Sequence, residues 1–199
     1  MIRPLAYAVA GWSGFFVMGI ELLGGRLLAP AFGSSIYVWG ALITVFMLGL
    51  ALGYLAGGRF SLRSPSLPRL GLLLLAAAIA AVPVPLFAVP LLDEIAIALP
   101  DPRFGSLLGA TALFLVPAVF SGMISPYCVR LIVEATATSG RHAGQLYFVS
   151  TFGSAAGTLL TSFYLVLWFE VNHILYALIA VSALLGIASC AAGMRPKQR

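Results

Sequence analysis

The chain has 199 residues, 61% of them hydrophobic and 9% charged, against about a quarter charged in an ordinary soluble domain. Most of its surface cannot face water, which excludes a soluble globular fold and leaves an integral membrane protein of one domain, residues 1–199. The net charge of +5 does not imply nucleic acid, because the basic residues are scattered over short connections and form no groove or stripe.

Six apolar segments follow one another, over residues 5–27, 36–58, 70–92, 105–127, 146–168 and 173–193. Each exceeds the about 20 residues that a helix needs to cross roughly 30 Å of hydrocarbon. The runs are continuous, not alternating, so the predicted fold class is an all-α bundle of about six transmembrane helices. The start imitates a signal peptide, with Arg3 before Ala8-Val-Ala10. About six residues separate them, short of the roughly 7 to 15 that a signal core requires, so this stretch is read as the first retained helix.

The first segment carries Glu21 and Arg26 inside Gly-Ile-Glu-Leu-Leu-Gly-Gly-Arg-Leu-Leu-Ala-Pro. A charge at this depth normally faces the bundle interior or a cavity and marks a functional position. Arg26 is placed to reach the headgroups by snorkelling, whereas Glu21 lies about 7.5 Å deeper and about 140° around the helix. In the second segment Gly49, Gly53 and Gly57 recur every fourth residue. That spacing opens a groove in which another backbone can approach closely. Prolines 83, 85 and 90 in the third segment and 117 and 126 in the fourth predict kinks. The acid-flanked stretch 93–103 between them is expected as a short interfacial helix. The fifth segment repeats the glycine spacing at Gly153 and Gly157.

If the helices alternate, nine basic residues fall on one side: Arg3, Arg59, Arg63, Arg69, Arg130, Arg141, Arg195, Lys197 and Arg199. Arg26 and Arg103 fall on the other, with Tyr37, Trp39 and Trp168 at that boundary. The positive-inside rule then places both termini in the cytoplasm, here of a bacterial inner membrane. The two halves share landmarks in order. Arg26-Leu27 is followed by Gly33, Tyr37 and Gly40, and Arg130-Leu131 by Gly144, Tyr147 and Gly153. Related halves would form a 3+3 inverted repeat, because the first and fourth segments run in opposite directions.

Four runs in order resemble the membrane portion of fused major facilitator/spermidine synthase-like proteins. They are Glu21 to Trp39, Leu52 to Arg59, Gly122 to Leu131 and Tyr147 to Thr158. In that family such a region is often followed by a cytosolic domain resembling spermidine synthase. The 199 residues contain no counterpart of its donor site, so no enzymatic activity is expected of them. The run Gly53 to Arg59 also looks like the loop between helices two and three of major facilitator transporters. Gly57 or Gly58 stands where that loop usually has an aspartate.

Chemical motifs are otherwise absent. Cys128 and Cys190 lie in apolar runs as packing residues, with no disulfide framework or zinc spacing. His142 and His173 are expected near opposite membrane faces, too far apart to share a metal, and no cofactor is implied. The polar candidates for substrate binding are Glu21, Arg26, Tyr37, Trp39, Tyr127, Arg130, Tyr147 and Ser150, with Ser125 and Thr151 nearby. Two readings are open. In one, the chain binds or transports a small polar solute, cationic and polyamine-like if Glu21 is its counter-charge, alone or as a homodimer. In the other, it is a non-catalytic scaffold for a separate cytosolic aminopropyltransferase-like enzyme or a larger membrane complex. The lipid bilayer is a partner in both, and nucleic acid in neither.

Overall fold

A computed structural model describes residues 2–62, 64–133 and 139–194. The structure is 92% helical, with no strand among the described residues, and its six long apolar helices make it an all-α six-helix bundle. The first two spans are α1 (Ile2–Phe32) and α2 (Ile36–Ser61). The third consists of α3 (Leu67–Ala81) and α4 (Pro83–Ala98), and the fourth is α5 (Pro102–Ile132). The fifth is α6 (Ser139–Leu160), a π-helical turn over Thr161–Leu165, and the one-turn α7 (Val166–Trp168). The sixth is α8 (Val171–Met194). Arg63, Arg195, Lys197 and Arg199, counted above as basic flanks, lie outside the described residues.

Among the described residues, a proline coincides with a break inside a span at Pro83. Pro83 starts α4, and the amide of Val82 donates to the carbonyl of Ile79 at 3.1 Å, which tightens the turn where the third span breaks. Pro117 and Pro126 lie within α5, which continues through both. The stretch 93–103 is also not a separate interfacial helix. Asp93 and Glu94 belong to the end of α4, and the Asp101 carboxylate accepts the Arg103 amide at 2.9 Å to cap α5.

In lipid, helices associate through close packing rather than hydrophobic burial, so small residues decide which spans pair. The main pairs are α2 with α5, α1 with α6 and α3 with α8. A β-carbon on Gly53 would strike the carbonyl of Val119, one on Gly57 would lie 2.6 Å from Cα of Met123, and one on Gly122 would lie 2.7 Å from the carbonyl of Leu50. In the other pair Gly153 meets the carbonyl of Gly11, Gly157 meets Phe15, and Gly14 meets the carbonyl of Ser150. The spacing of Leu50, Gly53 and Gly57 is that of Ser150, Gly153 and Gly157. The spacing of Val119, Gly122 and Met123 is that of Gly11, Gly14 and Phe15. Each contact in one pair thus has its counterpart in the other, between spans of opposite direction.

Two contacts map onto themselves and mark the pseudo-two-fold axis. The Ser13 hydroxyl donates to the carbonyl of Ser121 at 3.4 Å, and these serines are equivalent in the same register. On α3 and α8, Gly71 packs on Gly186 and Cys190 while Gly186 packs on Gly71 and Leu75. The packing is therefore that of a 3+3 inverted repeat. Its register is not the one the landmarks suggested. Gly153 corresponds to Gly53 and not to Gly40, beside which nothing lies within 4 Å, and Arg130 corresponds to Leu22 and not to Arg26.

Two apolar clusters fill the bundle. One is built around Phe16, Ile20, Leu42, Phe46, Leu92 and Phe114, with the rings of Phe46 and Phe114 5.5 Å apart. The other, toward the end that carries the termini, contains Val9, Leu70, Leu74, Ile124, Tyr127 and Cys128. Cys128 is fully buried there, and Cys190 lies against Gly71, so both are packing residues.

Candidate solute-binding site

The glycine-arginine run of α1 shapes the end of the bundle opposite the termini. Gly24 leaves room for Leu42 of α2 and Phe114 of α5, whose side chains come within 3.0 Å of where a β-carbon would be. Gly25 does the same for Trp39, whose indole would lie 2.8 Å from such a carbon, so the ring rests directly on the α1 backbone. Pro30 has no amide hydrogen to give to the carbonyl of Arg26, one turn back. Gly33 then ends the helix in the left-handed region, with φ of 80° and its amide donating to Ala29 at 2.8 Å.

Between this run and the fifth span lies an open cleft of about 330 Å³. Leu22, Gly25, Arg26 and Ala29 of α1 form one wall, Ser34 and Trp39 the rim, and Thr161, Ser162 and Val166 the far wall. The first half of the repeat thus supplies one wall and the second half the other. The far wall is the π-helical turn, whose extra residue widens the helix, a feature frequent at functional sites. Thr161 is fully buried, and its hydroxyl has no hydrogen-bond partner, though it sits 3.5 Å from where a β-carbon of Gly19 would be. Arg26 is exposed into the cleft and makes no hydrogen bond or ion pair among the described residues.

The eight expected site residues do not converge. Arg26 and Trp39 come together in the cleft. Glu21 is half-buried on the stripe of Gly25, one turn deeper, outside the cleft lining and without a hydrogen bond or ion pair among the described residues. Tyr37 is not free to cover a cationic solute, because the guanidinium of Arg103 already lies over its ring, 5.1 Å from the centroid. Tyr127 is fully buried near the opposite end, where its hydroxyl accepts the Ser66 amide at 2.9 Å and ties the start of α3 to α5. Arg130 and Tyr147 are exposed elsewhere, and Ser150 is spent in the α1–α6 packing. Ser34, Thr161 and Ser162 were missed as site residues. Adjacent hydroxyls in the fifth span were the available signal, but the π-turn that gathers them leaves no mark in the sequence.

Two further grooves lie on the bundle. One of about 470 Å³ is walled by Trp12, Phe15, Leu165, Phe169, His173 and neighbouring apolar residues on the other side of the π-turn. Trp12 also links α1 to α8, its indole N–H donating to Ser182 at 2.8 Å. The other, about 480 Å³, lies near the terminal end, where the Tyr7 hydroxyl donates to the Gln145 carbonyl oxygen at 3.3 Å. Comparison of the chain with known protein families, with curated proteins and with solved structures finds no match.

Proposed function

We propose that this multipass membrane protein binds a small polar solute in the Arg26 cleft and moves it across the membrane. The observation that carries this reading is the position of the cleft between the two inverted halves, with a helix irregularity as one wall. Transporters built from inverted repeats bind their substrates at the repeat interface near the bilayer midplane, beside discontinuous helices, and this cleft lies at the outer end of such an interface. Rocking of one half against the other would alter the cleft first, since its walls belong to different halves. The charged lining residue is a cation, so the cationic, polyamine-like solute expected from Glu21 has no counter-charge within the cleft. The described arginines at helix ends, Arg3, Arg59, Arg69, Arg130 and Arg141, gather at the terminal end and support its placement in the cytoplasm.

Purified protein and its Trp39→Ala variant, screened for solute-dependent thermal stabilisation and for uptake into vesicles, test the reading. We expect at least one small polar solute to stabilise the native protein and to lose that effect in the variant. A solute that is bound and carried equally well by both would place the site elsewhere.

One observation favours the scaffold reading as the alternative. The fifth span is the least apolar and least buried of the six, with Gln145 and Thr151 exposed. Polar residues facing lipid are costly, which suits a protein neighbour, whether a second copy or a separately encoded enzyme subunit. The subunit composition of the purified protein separates these cases.

A further inference from the structure

We propose that the ligand of the Arg26 cleft carries a phosphate-type oxyanion, either a lipid headgroup or a free phosphorylated solute. The inference rests on the reading of the cleft as a ligand site and adds the chemistry of its occupant.

A guanidinium cannot shed its charge in a protein, and its planar fork of donors matches the oxygens of a phosphate or carboxylate. Arg26 lines the cleft with no carboxylate among the other lining residues and no ion pair among the described residues. The second observation is independent. Thr161 on the opposite wall is completely buried and holds a hydroxyl without any partner, beside Gly19 at the floor of the cleft, and an unpaired buried donor of this kind is costly. Ser162 beside it and Ser34 on the rim bring two more hydroxyls. The donors therefore come from both walls as well as the rim. A phosphoryl group points oxygens in three or more directions and so can face both walls and the rim at once, whereas the two oxygens of a carboxylate lie on one side of a single plane-shaped group. The 26-residue helix α2 begins two residues after Ser34, and the positive end of its dipole adds to the preference for an anion. Arg26 lies about 35 Å along α1 from Arg3 at 1.5 Å per residue, the depth of the far headgroups. Lipid phosphates and phosphorylated solutes from the aqueous side both reach that level.

The test uses delipidated full-length protein in detergent, with inorganic phosphate, phosphatidylglycerol in mixed micelles and spermidine as separate probes, at constant ionic strength. Binding is read by titration and by thermal shift. Native protein should bind phosphatidylglycerol or inorganic phosphate. Arg26→Gln should weaken that binding about tenfold or more, the loss expected when a charge-assisted hydrogen-bonded partner is removed. Arg26→Lys should restore part of it, since the charge returns without the fork. Thr161→Val, which preserves shape, should weaken binding about threefold while leaving the fold intact. Phosphatidylglycerol binding unaffected by inorganic phosphate identifies the lipid source, and direct competition identifies the free one. Either supports the inference. Anion binding indifferent to Arg26→Gln in a folded variant overturns it, as does the absence of anion binding. If spermidine binds instead and Trp39→Ala abolishes that, the inference falls while the cleft remains a solute site. If no probe binds and no solute in the wider screen responds to Trp39→Ala, both fall.

Discussion

Gly57 and Gly157 occupy equivalent places in the two halves, and the helices part ways after them. Four residues on, the first half has Ser61, whose hydroxyl donates to the carbonyl of Gly58 at 2.7 Å where the regular helix α2 ends. The second half has Thr161, whose hydroxyl is buried without a partner at the start of the π-turn. On the facing spans the contrast recurs, because Glu21 corresponds to Val129 in the same register. Where the halves agree, the residues are small and the role is packing. Where they disagree, polar groups stand in places that packing does not need, and the cleft lies among them.

The largest expected effect falls on the shared part. Gly53→Leu and Gly153→Leu should each destabilise the protein in detergent by about 2 kcal/mol or more, since a side chain must enter space held by backbone. Gly40→Leu, with nothing within 4 Å, should change stability by less than about 0.5 kcal/mol. If one of the two equivalent glycines tolerates leucine and the other does not, the repeat is a likeness of sequence spacing and not of packing.

Smaller effects are expected in the divergent part, and there the two halves should differ in sign at Ser61 and Thr161. Glu21→Gln removes an unpartnered charge from an apolar span and should raise thermal stability, by about 1 to 3 kcal/mol. No gain would mean that the carboxylate has found a partner, for instance water or a bound cation. Thr161→Val, in protein free of ligand, should stabilise by about 1 kcal/mol because it removes an unsatisfied buried donor. Ser61→Ala should cost up to about 1 kcal/mol, the worth of the hydrogen bond it breaks. Unfolding midpoints that shift in the same direction for the last two variants would erase the proposed difference between the halves.

Much of the fold was legible because a membrane imposes few solutions. All six spans were visible as continuous apolar runs, and the glycines at 49, 53, 57, 153 and 157 announced where backbones approach. Gly53, Gly57, Gly153 and Gly157 contact facing backbone, and Gly49 meets Ala118. The register of the repeat was not legible, since equivalence there is carried by which backbone each glycine touches, and equivalent positions such as Gly11 and Val119 share no residue type. The prolines marked where backbone hydrogen bonds are lost but not the outcome at each, since the helix stops at Val82 and continues through Pro117 and Pro126. Of the candidate site, Arg26 and Trp39 were readable as polar and amphipathic residues at one boundary. Their partner wall depends on a π-turn, a one-residue excess in a helix, which composition does not reveal.

The pseudo-two-fold packing has a consequence for biogenesis. Turning the bundle over exchanges its two halves and leaves the glycine contacts among the spans formally equivalent, so helix packing by itself offers the insertion machinery no preferred way up. That choice rests on the arginines, which do not obey the repeat and gather at one end as Arg3, Arg59, Arg69, Arg130 and Arg141. A few surface charges that contribute little to folding therefore decide which compartment the Arg26 cleft opens toward.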